Sequence, residues 1–117
     1  MTNQEVSRYE KYIVEEGATL RDALEKITAN NRGSVVVRGS NGELLGVLSD
    51  GDVRRALLAG ALFLTPVIKF TNANPIFLND EDATPEKVSQ MFGEMNHIQI
   101  IPVVSHNRIV KIEIRNV

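Results

Sequence analysis

The segment from Gly46 to Val53 carries the residues of this sequence that are best suited to chemistry, because it runs from a predicted strand into a predicted helix. The first turn of a helix offers unpaired N–H groups and a positive dipole end, which suits a phosphate. Ser49 adds a hydroxyl donor beside that turn. Asp52 is a carboxylate, which can accept hydrogen bonds from both hydroxyls of a ribose. The segment is therefore a candidate site for a phosphorylated sugar.

The same spacing also has a structural interpretation. A serine three residues ahead of an aspartate, before an apolar helix, forms a capping box that needs no ligand. Gly51 lies in the same turn, and Arg54 and Arg55 follow it. One of these arginines could bind a phosphate, although a solvated helix face explains them as well. The local sequence leaves both interpretations open.

The elements that position this segment follow from periodicity and turn chemistry. Apolar residues at helical spacing predict a helix from Thr19 to Ala29, with Thr19 as its cap. Two apolar runs joined through Asn41-Gly42 predict a β-hairpin. The complete predicted order is a strand at 12–14, the helix at 19–29, strands at 35–37 and 44–48, and a second helix that stops at Gly60.

The pattern then starts again after Pro75. It predicts a strand at 76–78, a helix opened by Thr84-Pro85, and strands at 100–104 and 109–114. Three alignments support this duplication: Leu20 with Val88 (88 − 20 = 68), Val36 with Val103 (103 − 36 = 67) and Val47 with Ile112 (112 − 47 = 65). Unequal loops explain the drift in offset.

The second copy departs from the first at the residues of interest. In the strand register, Gly46 falls on Lys111, Ser49 on Ile114 and Asp52 on Val117. The hydroxyl and the carboxylate are both missing, so we expect at most one ordinary site per chain. The second copy also stops before its final helix, and we expect the natural chain to continue.

The stretch GVLSDGDVRRALLAG resembles the second half of a CBS repeat, and IPVVSHNRIVKI resembles the paired strands of another. The resemblance covers about Tyr12 to Ile114. It implies an α/β (α+β) fold of two β-α-β-β-α repeats, packed as a pseudo-two-fold pair, with the second lacking its last helix. The expected organisation is an arm at 1–11, repeats at 12–64 and 76–117, and a linker at 65–75.

Such pairs commonly bind an adenine nucleotide, AMP, ADP or ATP, between the repeats and regulate an attached domain. The resemblance implies that Ser49 contacts phosphate and that Asp52 holds ribose. Val14 and Val36 are candidates for an apolar wall against the base, with plain core as the alternative. A narrower similarity, in SDGDVRRALLAG and TPVIKFTNANPIFL, points to pairs attached to sugar-phosphate nucleotidyltransferases or to sugar-phosphate isomerases. The alternative is a structural homodimerisation module that pairs through its helices.

Composition excludes several other classes. The 117 residues are 43% hydrophobic, carry mixed charges with a net charge of −2 and include no cysteine. We therefore expect no nucleic-acid partner, no disulfide, no membrane span and a cytoplasmic location. His97 and His106 lack carboxylates at ligand spacing, so no metal site is expected. No nucleophile–base pair is present either, so we expect a regulatory module with no catalytic residues.

Overall fold

The structure is a computed structural model that describes residues 8 to 116. The first half contains β1 (Ile13–Glu15), α1 (Leu20–Asn30), β2 (Ser34–Arg38), β3 (Leu44–Ser49) and α2 (Asp50–Leu58). The second half contains β4 (Leu78–Asn79), α3 (Pro85–Glu94), β5 (Ile100–Ser105) and β6 (Arg108–Ile114). The predicted mixed α+β architecture is confirmed.

Two small sheets have the same internal order, β1-β2-β3 and β4-β5-β6. In each sheet the first pair of strands is parallel and the second pair is antiparallel. The hairpin turns use left-handed backbone conformations, at Gly42 (φ 82°) in the first sheet and at His106 and Asn107 (φ 51° and 65°) in the second. A register shift follows Val37 in one sheet and Val103 in the other. The duplication read from the sequence is therefore present in the fold.

The alignment of the two copies needs two corrections. The capping residues Thr19 and Thr84 are equivalent (84 − 19 = 65), so Leu20 corresponds to Pro85 and not to Val88. The register shifts make Val37 equivalent to Val103 (103 − 37 = 66), so Val36 does not correspond to Val103. Both errors arose from matching apolar residues to one another, whereas caps and strand irregularities fix the register.

The valines of β2 face alternately in two directions, as strand geometry requires. Val35 and Val37 pack with Leu20 and Val53 beneath α1 and α2. Val36 points the other way, toward the second sheet. There it joins a cluster to which both halves contribute, here called the shared core: Tyr12, Ile13, Val36, Ile100 and Ile112.

The hairpin ends of the two sheets are tied together. The backbone N–H of Ile109 donates to the carbonyl of Gly42 at 2.9 Å, and Glu43 forms an isolated bridge with Arg108. These contacts lie at the far end of β2 from Ser34 and at the far end of β5 from Ile100. The two sheets are thus joined at their hairpin ends as well as through the shared core.

The outer face of the second sheet lacks the cover that α2 gives the first. Within residues 8 to 116 no helix follows β6. A cavity of about 590 Å³ lies there between α3 and β6. Lys111 and Glu113 line this cavity at the positions that Gly46 and Leu48 occupy in the first sheet, and their side chains form an ion pair at 2.6 Å. The β6 edge of this face is therefore polar, while Ile101 and Val103 of β5 pack beneath α3.

The linker enters the second sheet later than the sequence indicates. The predicted strand at 76–78 is wrong in its bounds, because β4 covers only Leu78 and Asn79. The backbone of Asn72 instead pairs with Val47 of β3, through hydrogen bonds of 2.9 and 3.1 Å. Ile76 and Phe77 are consequently left 42% and 46% exposed.

Residues 1 to 7 of the predicted arm lie outside the described residues, as does Val117, and Glu10–Tyr12 form a short 3-10 turn. In the part of the chain that the structure describes, every helix is too short or too polar to cross a membrane.

Candidate ligand-binding cleft

Ser49 and Asp52 form the start of α2. Ser49 ends β3 with an extended backbone, and its Oγ accepts a hydrogen bond from the N–H of Asp52 at 3.0 Å. Asp52 Oδ2 accepts from the N–H of Ser49 at 2.9 Å, and Asp52 Oδ1 accepts from Arg55 Nη2 at 2.7 Å. The capping box predicted as the structural alternative is therefore formed.

The charge on Asp52 is maintained by these contacts. Burial alone would raise the pKa of Asp52, but the hydrogen bonds from Ser49 and the guanidinium of Arg55 outweigh it and lower the pKa below the usual 3.8. The carboxylate is thus ionised near neutral pH. Each of its oxygens has a second lone pair with which to accept a hydroxyl donor.

Ser49 and Asp52 also line a cavity of about 380 Å³, here called the cleft. This volume lies within the range of small-molecule sites. Its walls come from both halves of the chain: Arg32, Gly33, Ser34, Val47, Ser49 and Asp52 from the first, Asn72, Pro75 and Ile76 from the linker, and His97, Ile98, Gln99 and Ile100 from the second. The capping box therefore sits at a junction between the two halves.

Two of the residues expected at the site do not reach the cleft. Val14 is 3% exposed and packs beneath α1, while Val36 is fully buried in the shared core. A side chain with no exposed surface cannot form a wall against a ligand, so the expectation of an apolar wall at these valines is corrected to core packing. The apolar side chains that line the cleft and are not fully buried include those of Val47, Ile76 and Ile98.

Two further candidates lie beside the cleft without lining it. Gly51 is in the first turn of α2, where an added Cβ would contact the guanidinium of Arg55. Arg54 is largely exposed and pairs with Asp50 at 3.6 Å, which is the solvated-face arrangement. Arg55 is committed to Asp52. The cationic side chain that does line the cleft is Arg32, from the loop between α1 and β2.

Sequence reasoning missed Arg32, Asn72 and His97. Each lies in a loop or linker, where apolar periodicity gives no signal. The repeat does give one, because Gly33 and Gln99 accept equivalent backbone bonds, from Asp50 and from Arg115 (99 − 33 = 66). The loop that contains Arg32 is therefore equivalent to the loop that contains His97, and this symmetry could have identified both loops as walls of the cleft.

The equivalent position in the second half is apolar. Ser34 pairs with Ser49 in the first sheet, and Ile100 pairs with Ile114 in the second, so Ile114 takes the place of Ser49 as predicted. Ile114 packs against the shared core. Val117, aligned with Asp52, lies outside the described residues. The second half therefore offers no hydroxyl where Ser49 stands in the first.

The cleft combines hydrogen-bonding groups of the kinds that suit a sugar phosphate. The hydroxyl of Ser49 accepts from the backbone and keeps its proton for donation, while Asp52 can accept from sugar hydroxyls. Arg32 supplies a guanidinium, and Asn72 and Gln99 supply amides. Among residues 8 to 116, no group of three His, Asp or Glu side chains is arranged to hold a metal ion.

Comparison with known proteins gives a family match for part of the chain. A family model described as CBS domain matches residues 4–59. The first half of the chain is thus similar to CBS domains. A protein of Helicobacter pylori with no assigned function is 34% identical over 98 residues, which covers 83% of this chain and 30% of that protein. The chain thus spans about a third of the length of this curated relative.

Solved structures share the fold of a CBS pair. A Vibrio cholerae protein provisionally assigned to acetoin utilization superimposes with a TM-score of 0.77 at 23% identity, covering 88% of this chain and 76% of that one. A CBS domain protein from Pyrobaculum aerophilum, complexed with AMP, superimposes with a TM-score of 0.68 at 22% identity, covering 87% and 78%. The chain is therefore about one CBS pair in extent.

Proposed function

We propose that this chain is a regulatory module that binds one adenine nucleotide in the cleft and modulates an attached enzyme. The observation that carries the proposal is the position of Ser49 and Asp52 at a cavity walled by both halves. The AMP complex of the Pyrobaculum aerophilum protein supports the choice of ligand class. The proposed organisation keeps repeats at 12–64 and 76–117, joined by a linker at 65–75.

In the proposed complex, each part of the nucleotide meets suitable chemistry. The ribose hydroxyls donate to Asp52, and the phosphate accepts from the hydroxyl of Ser49 and from Arg32. The base packs against Ile76 of the linker and Ile98 of the second half, which both line the cleft. AMP, ADP and ATP share all of these features, so all three are candidate ligands.

The attached enzyme is proposed to be a sugar-phosphate nucleotidyltransferase, with a sugar-phosphate isomerase as the alternative. The support is the similarity of SDGDVRRALLAG and TPVIKFTNANPIFL to CBS pairs of those enzymes. A ligand in the cleft regulates such a partner only if it binds one arrangement of the module more tightly than another.

Calorimetric titration of the chain with AMP, ADP and ATP tests the proposal. Saturable binding near one site per chain is expected for at least one of them. Asp52→Ala should abolish it, while Asp22→Ala should not. Asp22 is a matched control, since it forms the same capping box with Thr19, at 2.9 and 3.2 Å, away from the cleft. Each substitution should cost about 1 kcal/mol of stability.

The absence of binding in the parent protein would overturn the nucleotide proposal. Equal loss of binding in both variants would overturn the assignment to Asp52, because it would show only a general loss of folded protein.

The second candidate function is homodimerisation through the end of α2 and the loop that follows it at 59–66. Leu58, Leu62 and Leu64 are 83%, 72% and 73% exposed, and Phe63 lies beside them. Val53 and Met91, which also belong to the apolar faces of the helices, are buried in the two halves and cannot contribute. Such a concentration of exposed leucines favours an interface.

The flanks of this apolar face favour a second copy of the chain as its partner. A groove formed by Leu24, Phe63 and Leu64 is bordered by Arg21 and Glu25, which carry opposite charges. Across a two-fold axis, Arg21 of one copy can meet Glu25 of the other. Sedimentation equilibrium should show a dimer that Leu62→Asp dissociates and that Phe77→Asp, on the second half, leaves intact. A monomeric parent protein would exclude this candidate.

A further inference from the structure

Arg115 immediately follows β6, and it donates hydrogen bonds to backbone carbonyls of the loop that forms the second-half wall of the cleft. Its Nε donates to the carbonyl of Ile98 at 2.8 Å, and its Nη2 donates to the carbonyl of Met95 at 2.7 Å. Its backbone N–H donates to the carbonyl of Gln99 at 2.9 Å. Since Ile98 and Gln99 line the cleft, one residue fixes the backbone of the second-half wall.

The same residue is bound to the opposite wall. Arg32, which lines the cleft from the first half, donates from Nη1 to the carbonyl of Arg115 at 2.9 Å. The backbone N–H of Arg32 is itself held by the buried Asn30, whose Oδ1 accepts at 2.7 Å. Arg115 therefore has hydrogen bonds to both walls and links them across the junction.

The fold does not require this arrangement. By the register of the sheets, Arg115 is equivalent to Asp50 in the first half (115 − 50 = 65). Both residues donate their backbone N–H to the matching loop, Asp50 to Gly33 at 2.8 Å. Only Arg115 adds side-chain bonds to that loop, while Asp50 pairs with Arg54 at the surface. The hydrogen bonds from a side chain to the loop therefore occur in the second half and have no counterpart at Asp50 in the first half.

The guanidinium is also held in place on its other side, where it lies over the ring of Phe92 at 4.8 Å. Stacking of this kind and charged hydrogen bonds both favour one orientation of the side chain. A side chain restrained in this way can transmit its position to the carbonyls that it binds.

We infer that Arg115 is a positioning residue that sets the geometry of both walls of the cleft and thereby its affinity for a nucleotide. This inference rests on the proposed function. Without the guanidinium, the carbonyls of Met95 and Ile98 lose charged donors and the loop from 95 to 99 relaxes. The fraction of molecules with a binding-competent cleft then falls, and the apparent affinity falls with it.

The test compares Arg115→Ala, Arg115→Lys and Arg38→Ala in the whole chain, with AMP as the probe. Arg38 is the matched control, because it is a partly buried arginine that pairs with Glu10 and Glu15 at the opposite end of β2. We expect Arg115→Ala to weaken AMP binding about tenfold or more, Arg115→Lys to recover part of the loss, and Arg38→Ala to leave affinity within about twofold.

Hydrogen exchange supplies a readout that does not depend on the ligand. The backbone N–H of Ile98 donates to the carbonyl of Met95 at 3.1 Å. The amide proton of Ile98 should therefore exchange with solvent faster in Arg115→Ala than in the parent protein, but not in Arg38→Ala. Unchanged AMP affinity in Arg115→Ala, or an equal loss in Arg38→Ala, would overturn the inference. If the parent protein binds none of AMP, ADP and ATP, the proposed function fails instead. Exchange at Ile98 then decides the positioning role, and an unchanged rate overturns it.

Discussion

Asp52 and Ser49 exchange two hydrogen bonds, from Ser49 N–H to Asp52 Oδ2 at 2.9 Å and from Asp52 N–H to Ser49 Oγ at 3.0 Å. Thr19 and Asp22 make the same pair of bonds at the start of α1. The first box lines the cleft and the second does not. A capping box is therefore a feature of helix starts in this chain, and its location at the junction is what makes Ser49 and Asp52 candidates for ligand binding.

Both capping boxes predict a loss of stability in acid. Burial raises the pKa of Asp52, yet the hydrogen bonds from Ser49 and Arg55 bring it below 3.8 overall; bonds from Thr19 likewise lower the pKa of Asp22. A depressed pKa contributes stability that is complete above the unfolded value and is lost as pH falls through the folded value. The free energy of unfolding of the parent and of Asp52→Asn should be measured with urea between about pH 3 and pH 7. The difference between the two free energies should be constant near neutrality and should shrink below about pH 4. A difference that stays constant over the whole range would contradict this account.

Gly46→Ala should detach the linker from β3. A Cβ at Gly46 would overlap the carbonyl of Asn72 and the methyl group of Thr71. We expect a loss of about 1–3 kcal/mol in unfolding free energy, together with weaker AMP binding because Asn72 lines the cleft. Gly17→Ala is the control, since nothing lies within 4 Å of an added Cβ there. Calorimetric melting and titration of both variants measure the two effects, and similar behaviour of the two would argue against the close approach.

Ile76→Asn should weaken AMP binding by about fivefold to tenfold, because the base loses an apolar surface. Binding of ribose 5-phosphate, which has no base, should change little. Ile68→Asn serves as the control, since Ile68 is exposed to a similar degree and does not line the cleft. Competition titrations with both ligands measure the effect. Equal weakening of both ligands in Ile76→Asn would exclude a specific contact between Ile76 and the base.

Val36→Ala tests the reassignment of a predicted wall residue to the core. Removing two methyl groups from a fully buried position should cost about 2 kcal/mol in unfolding free energy. The number of AMP molecules bound per folded chain should stay the same. Ile68→Val, at an exposed position outside the proposed dimer face, should change stability by less than about 0.5 kcal/mol. A change in AMP stoichiometry in Val36→Ala would show that Val36 contacts the ligand after all.

The sequence was sufficient for the features that local chemistry determines. Thr19 and Thr84 as helix caps and the turn at Asn41-Gly42 follow from short-range patterns. The replacement of Ser49 by Ile114 follows from the internal repeat. The face of Val36 could not be predicted in this way, because an uninterrupted run of valines has no alternation to show which residue turns toward which layer.

The cleft was only half predictable for a related reason. Ser49 and Asp52 belong to one motif, whereas Asn72 and His97 lie twenty or more residues farther along the chain and reach the cleft only when the sheets pack. The bonds of Arg115 likewise join residues 16 to 83 positions apart (115 − 99 = 16 and 115 − 32 = 83). No local rule of spacing encodes contacts over such distances.

The shared core has a consequence for how the molecule denatures. Tyr12, Ile13 and Val36 of the first half and Ile100 and Ile112 of the second form one apolar cluster, so exposing either sheet uncovers the other. The two halves should consequently melt as a single cooperative unit, with equal calorimetric and van't Hoff enthalpies. A ligand bound in the cleft then slows the hydrogen exchange that occurs through global unfolding for amides of both halves. This includes the second half, where Ile114 takes the place of Ser49.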